Sequence, residues 1–137
     1  MGGYVMNEPV KSQKTRREQR QLIVELLYQM DLLETLDFEH TSIPFVDESV
    51  QGVLNNLPKI DAVISAQLVN YTIKRLSYVD RAIIRFAVYE LYFTETPIEI
   101  VIDEGLKLTR LLTDLGDNKS VAFNNKVIDK IHKALKG

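Results

Sequence analysis

Residues 78–93, YVDRAIIRFAVYELYF, carry apolar side chains on more than one side of a helix. At about 100° per residue, Val79, Ile83, Phe86 and Ala87 gather on one side and Ile84, Val88 and Leu91 on another. Only a narrow wedge with Arg81, Arg85 and Tyr92 stays polar. A helix apolar over so much of its circumference is covered by neighbours on several sides, so the rest of the chain must pack around it. Ser77 is placed to cap it, and Asp80 three residues later completes an S-x-x-D pattern. Glu90 falls inside the apolar arc. A buried carboxylate without a partner costs several kcal/mol, so Glu90 requires one and reads as a structural latch before a catalytic acid.

The remaining segments supply the surrounding helices. Thr15 and Glu18 form a T-x-x-E capping box, which starts a helix at Arg16 with Leu22, Ile23, Leu26, Leu27, Met30 and Leu33 facing the core. Val46, Val50, Val53, Leu54 and Leu57 mark a second helix. Pro58 ends it and opens a third, with Ile60, Val63, Ile64, Leu68 and Tyr71 inward. Beyond the central helix, Thr96-Pro97-Ile98-Glu99 combines an N-cap, a proline at N1 and a capping glutamate at N3. That helix runs to about Leu112 and buries Ile98, Val101, Ile102, Leu108 and Leu112. Gly105 inside it costs roughly 1 kcal/mol relative to alanine, which a close helix crossing would explain. TDLGDN at 113–118 reads as a loop. The last helical region, about 119–135, turns Ile128, Ile131 and Leu135 inward, and the poor helix formers Asn124 and Asn125 predict a break in its middle. No stretch alternates as a strand does. The fold class is all-α, in one domain of 137 residues that is 45% hydrophobic, enough for a core of its own.

Catalytic chemistry is hard to build from this chain. It has no cysteine, which excludes disulfides, thiolate metal sites and a cysteine nucleophile. His40 and His132 have no ligand spacing around them, and no glycine-rich phosphate loop is present. Asp103 and Glu104 are adjacent, so on a helix they point about 100° apart and do not converge as an acid–base pair. A non-enzymatic protein with no cofactor is expected. No apolar run is long enough for a membrane span and no signal-type segment opens the chain, which makes a cytoplasmic protein the default.

The net charge of −2 conceals an asymmetry. Lys11, Lys14, Arg16, Arg17 and Arg20 crowd residues 11–20 against the single acid Glu18, whereas residues 31–61 hold seven acids and only Lys59 as a cation. Such an arm is either a solvated tail or the contact for a localised anionic partner. Arg16 and Arg17 fall in the first turn of their helix, where the dipole opposes cations by about 0.3–1 kcal/mol each. A bound anion would cancel that penalty. Arg17, Arg20, Val24 and Tyr28 share one flank, with Arg20 and Tyr28 about 12 Å apart along the axis. Cations for phosphates and a ring for stacking suit single-stranded nucleic acid, while Tyr28 could equally be a tyrosine at the edge of the core.

Four segments, TRREQRQLIVELLYQMDL (15–32), RLSYVDRAIIRFAVYEL (75–91), TPIEIVIDEGLKLTR (96–110) and FNNKVIDKI (123–131), resemble in order and spacing the bacterial transcription antitermination factors of the NusB family. The resemblance covers about residues 15–135. It implies six to seven helices in two small bundles, about 15–74 and 75–137, packed around the central buried helix. These would form a single RNA-binding domain, 15–137, behind a disordered basic arm, 1–14. It further implies binding of the single-stranded boxA element of nascent RNA as a heterodimer with NusE, a small-subunit ribosomal protein. The complex would join RNA polymerase during ribosomal RNA transcription. Carried over by position, Arg16, Arg17 and Arg20 would face RNA, Tyr28 would be an aromatic on the same helix, and Phe123 and Lys126 would lie near the same RNA. Asp80 would touch NusE. The family's F-V-N-G run is Phe123-Asn124-Asn125-Lys126 here, so Lys126 replaces a glycine and adds a cation; the loop before it is about three residues longer than usual. The fold also resembles the N-terminal domain of ribosomal RNA cytosine-C5 methyltransferases, whose cofactor sheet and cysteines this chain lacks. The competing reading is a helical protein-interaction or homo-oligomeric domain that does not bind RNA.

Overall fold

A computed structural model describes residues 14–113 and 119–136. The described residues form helices α1 (Arg16–Leu33), α2 (Pro44–Asn55), α3 (Leu57–Gln67), α4 (Tyr78–Phe93), α5 (Ile98–Thr113) and α6 (Lys119–Lys136), with a short 3-10 turn at Ile73–Arg75 before α4. The expected basic arm, apart from Lys14, and residues 114–118 of the expected loop lie outside the described residues.

Helix α4 touches each of the other five helices, as its all-round apolar surface requires. Ile83, Ile84, Phe86 and Val88 are buried against Ile23, Val24 and Leu27 of α1, Val50 and Val53 of α2, Ile60 and Ile64 of α3, and Val127 and Ile131 of α6. A smaller cluster of Ala87, Val101 and Ile128 joins α4 to α5 and α6. The capping box of α1 is complete: Glu18 N–H donates to Thr15 Oγ1 at 3.1 Å, and Thr15 N–H donates to Glu18 Oε1 at 2.8 Å. Ser77 Oγ accepts from Asp80 N–H at 3.1 Å, while the Asp80 carboxylate turns to α6. Gly52 on α2 lies flat under the Tyr89 ring of α4, and a Cβ there would enter the ring. At Gly105 an added Cβ would make ordinary contact with Ile128 Cδ1, at 3.4 Å, so the packing of α6 on α5 does not itself demand the glycine that a close crossing was expected to explain.

The polar wedge of α4 is closed by side chains of neighbouring helices. Arg81 Nε donates to Asp31 Oδ2 at 2.7 Å and Arg81 Nη1 to the Ile73 carbonyl at 3.2 Å; Arg85 holds Asp61 with two bonds of 2.8 Å. The wedge is thus a seam of ion pairs to α1 and α3. Several expectations fail on packing grounds. Leu33, Tyr71 and Leu135, expected inside, are exposed: Leu33 is the last residue of α1, Tyr71 follows the end of α3 at Gln67, and Leu135 lies one turn past Ile131, the last buried residue of α6. Helix α6 runs without a break through Asn124 and Asn125, since Asn124 is fully buried and hydrogen-bonded to two neighbouring helices. The α5 boundary falls at Ile98, with the Thr96 hydroxyl donating to Glu90 Oε2 at 3.2 Å.

Candidate nucleic-acid and partner interface

The first turn of α1 carries Arg16 and Arg17 on the surface, with exposed Lys14 just before them. Both arginines have structural contacts that offset their poor position on the helix dipole. Arg16 lays its guanidinium 3.8 Å from the centroid of the Phe45 ring, a cation–π contact. Arg17 reaches α5, where Nε and Nη2 donate to Glu104 Oε1 and Oε2 at 3.2 and 3.3 Å. That hydrogen bond, and the charge of Glu104 behind it, raise the Arg17 pKa above the ordinary guanidinium value. Its side chain remains 57% exposed, so it can meet an incoming anion while holding Glu104.

Arg20 differs. Its side chain is 9% exposed, and Nε and Nη2 donate to Glu90 Oε1 and Oε2 at 3.2 and 2.9 Å. Glu90 is the buried carboxylate of α4 that needed a partner, and Arg20 supplies it. The expectation that Arg20 faces RNA phosphate is corrected on this ground: its planar fork is already closed on a carboxylate inside the protein. The flank of Arg17, Arg20, Val24 and Tyr28 is likewise no surface stripe, because Val24 is fully buried. Tyr28 sits half-buried with its ring edge-on to Tyr78, centroids 6.3 Å apart.

The other expected residues meet at the opposite end of α4. Glu90 and Asp80 are ten residues apart, about 15 Å along the axis, and α1 runs antiparallel to α4 because Arg20 pairs with Glu90 and Asp31 with Arg81. At the α4 start, Asp80, Phe123, Tyr71, Leu76, Lys119 and Ser120 line a groove of about 230 Å³. Phe123 is half-buried with its ring centroid 5.8 Å from that of Tyr71. Lys126, exposed on α6, lines a neighbouring groove with Tyr71 and Phe123. The expected RNA residue Phe123 and the expected partner residue Asp80 therefore share one groove, and Arg16 and Arg17 stand apart from it.

Sequence reading missed three groups. Glu104 lies under Arg17. Tyr71 flanks the groove rather than filling the core. Asn124 donates through Nδ2 to Asp80 Oδ1 at 3.0 Å and to Thr109 Oγ1 at 3.1 Å. The available signal was the pair of asparagines in mid-helix, which read as a break. Among the described residues no group of three His, Cys, Asp or Glu side chains could hold a metal ion, and no helix is long and apolar enough to cross a membrane.

Comparison with known proteins returns one consistent answer. The model of the NusB family matches residues 10–133. The transcription antitermination protein NusB of Bacillus pumilus is 37% identical over 131 residues, covering 88% of this chain and 97% of the relative. The solved structure of T. maritima NusB superposes with a TM-score of 0.74 at 32% identity, covering 88% of this chain and 92% of that one. A chain in a crystal structure of the antitermination factors NusB and NusE in complex with dsRNA superposes with a TM-score of 0.72 at 25% identity, over 87% of this chain and 96% of that one.

Proposed function

The chain belongs to the NusB family, and from that premise we propose that it is a transcription antitermination factor that binds RNA together with NusE. The likeness to a chain from a NusB–NusE–dsRNA structure carries this reading. Its task is binding, not catalysis. In this reading the protein works in the cytoplasm, in the RNA polymerase antitermination complex on ribosomal RNA genes, and its RNA is a boxA-type single strand.

The site divides by chemistry. Exposed Arg16 and Arg17, with Lys14, contact phosphate, which anchors the strand without reading its sequence. Arg20, closed on Glu90, fixes the first turn of α1 from behind instead of touching RNA. Tyr28, Phe123 and Lys126 serve the same RNA from the other end of α4: the rings offer stacking faces, and Lys126 adds a cation. Asp80 contacts NusE from the groove at the start of α4.

The test is an anisotropy titration of a boxA-type single strand with the protein alone, with NusE alone and with both. Tighter binding by the pair than by either protein supports the reading. A strand that binds no better to the pair, even at low salt, would favour the helical interaction domain that does not bind RNA.

A further inference from the structure

Asn124 is a costly residue for its place. It is fully buried in the middle of α6, and its Oδ1 has no hydrogen-bond partner there. An unpaired buried carbonyl is unfavourable, and an apolar side chain of similar size would fill the same space without that penalty. The other end of the amide is fully engaged. Nδ2 donates to Asp80 Oδ1 at 3.0 Å and to Thr109 Oγ1 at 3.1 Å, and the fully buried Thr109 hydroxyl in turn donates to the Gly105 carbonyl at 2.7 Å. Thr109 therefore has its hydroxyl proton committed to its own helix and presents a lone pair to Asn124. The acceptor fixes the amide plane, and the amide then fixes one oxygen of Asp80. The line runs from α5 through α6 to the first turn of α4, and it ends on the wall of the groove that Tyr71, Leu76, Lys119, Ser120 and Phe123 complete.

We propose that Asn124 is a positioning residue for partner binding: it holds one oxygen of Asp80 so that the other is presented into the groove for a donor of the partner. The inference rests on the reading above that Asp80 contacts NusE. It adds that the geometry of this carboxylate, as well as its charge, sets the affinity, and that Asn124 and Thr109 supply that geometry.

The discriminating variant is Asn124→Val, which removes the amide and leaves the charge of Asp80 in place. Surface-immobilised NusE is titrated with the wild type, Asn124→Val, Asp80→Ala and the double variant, with urea melts of all four. Asn124→Val is expected to melt at or above the wild-type urea midpoint. It should still bind NusE about fivefold more weakly, the size of one ordinary hydrogen bond. Because long-range attraction depends on charge, the association rate should hold and the dissociation rate should rise. In the Asp80→Ala background Asn124→Val should add nothing, since there is no carboxylate left to orient. Two results would overturn the positioning role while leaving Asp80 as a contact: full affinity in Asn124→Val beside weakened Asp80→Ala, or an undiminished Asn124→Val effect without Asp80. Unchanged affinity in Asp80→Ala would overturn both the contact and its positioning. A folding defect in Asn124→Val would give the residue to the core and overturn the inference, unless Thr109→Val, which removes the acceptor that orients the amide, melts as the wild type and shows the same dissociation-rate increase.

Discussion

Arg17 and Arg20 stand about one turn apart on α1, and each grips a glutamate with two N–H groups. Their surroundings give these similar pairs opposite roles. Arg17 reaches over the surface to Glu104 and stays 57% exposed, so water screens its guanidinium, which remains open to another anion, although Glu104 itself is only 11% exposed. Arg20 is 9% exposed and its glutamate 3%, so neither charge can turn to solvent if its partner is lost. The lesson is that a run of arginines is not one site. Helical geometry turns Arg20 inward toward α4 and leaves Arg16 and Arg17 outside, and burial decides which of them hold the fold and which can hold a ligand.

The largest expected effect breaks the buried pair. Glu90→Ala should lower stability by about 3–5 kcal/mol in a urea melt, because it strands Arg20 in the interior. Replacing both partners, as Arg20→Met with Glu90→Leu, should recover most of that loss. If the double variant is as unstable as the single, the pair contributes more than mutual neutralisation. Arg17→Ala is the counterpart at the surface: it leaves Glu104, 11% exposed, with Lys107 Nζ at 3.9 Å, so its loss in a urea melt should be clearly smaller than that of Glu90→Ala, and an equal loss would erase the distinction between the two pairs.

Gly52→Ala probes whether α4 is seated as closely on α2 as on α1. The new methyl would enter the Tyr89 ring, and overpacking of this kind costs about 1–3 kcal/mol. A melt indistinguishable from wild type would mean that Tyr89 can move aside freely.

The smallest effect lies at the entry to α2 and is read by pH. Burial raises the Asp47 pKa, but the Thr41 N–H and hydroxyl and the Ser42 N–H outweigh it, and the carboxyl ends below its ordinary value. A carboxyl depressed on folding stabilises fully above its unfolded pKa, about 3.9, and loses that contribution as pH falls through the folded value. The stability gap between wild type and Asp47→Asn should therefore be flat near neutral pH and narrow below about pH 4. A gap that widens in acid would contradict the assignment.

Much of this was legible in the sequence, and the failures share a cause. The all-round apolar pattern of residues 78–93 found the central helix, and Thr15 and Glu18 found the start of α1, because both signals are local. The need of Glu90 for a partner was legible as well, but the identity of that partner was not. Arg20 lies 70 positions away, and only the crossing of α1 with α4 brings them together. Asn124 misled for the same reason. Its helix propensity is poor, and what overrides it is tertiary: Asp80 from α4 and Thr109 from α5. The polarity of the wedge of Arg81 and Arg85 was legible too, but not its partners, because period alone cannot tell water from the facing aspartates Asp31 and Asp61.

The division between Arg16 and Arg17 on one side and Arg20 on the other is tested most directly by the salt dependence of RNA binding. Each phosphate contact to a single strand adds a slope of about −0.7 to log K against log salt. With NusE present, Arg16→Ala combined with Arg17→Ala should flatten the slope by about 1.4, whereas Arg20→Met combined with Glu90→Leu should leave it unchanged. An unchanged slope in the first protein, or a flattened one in the second, would contradict the account.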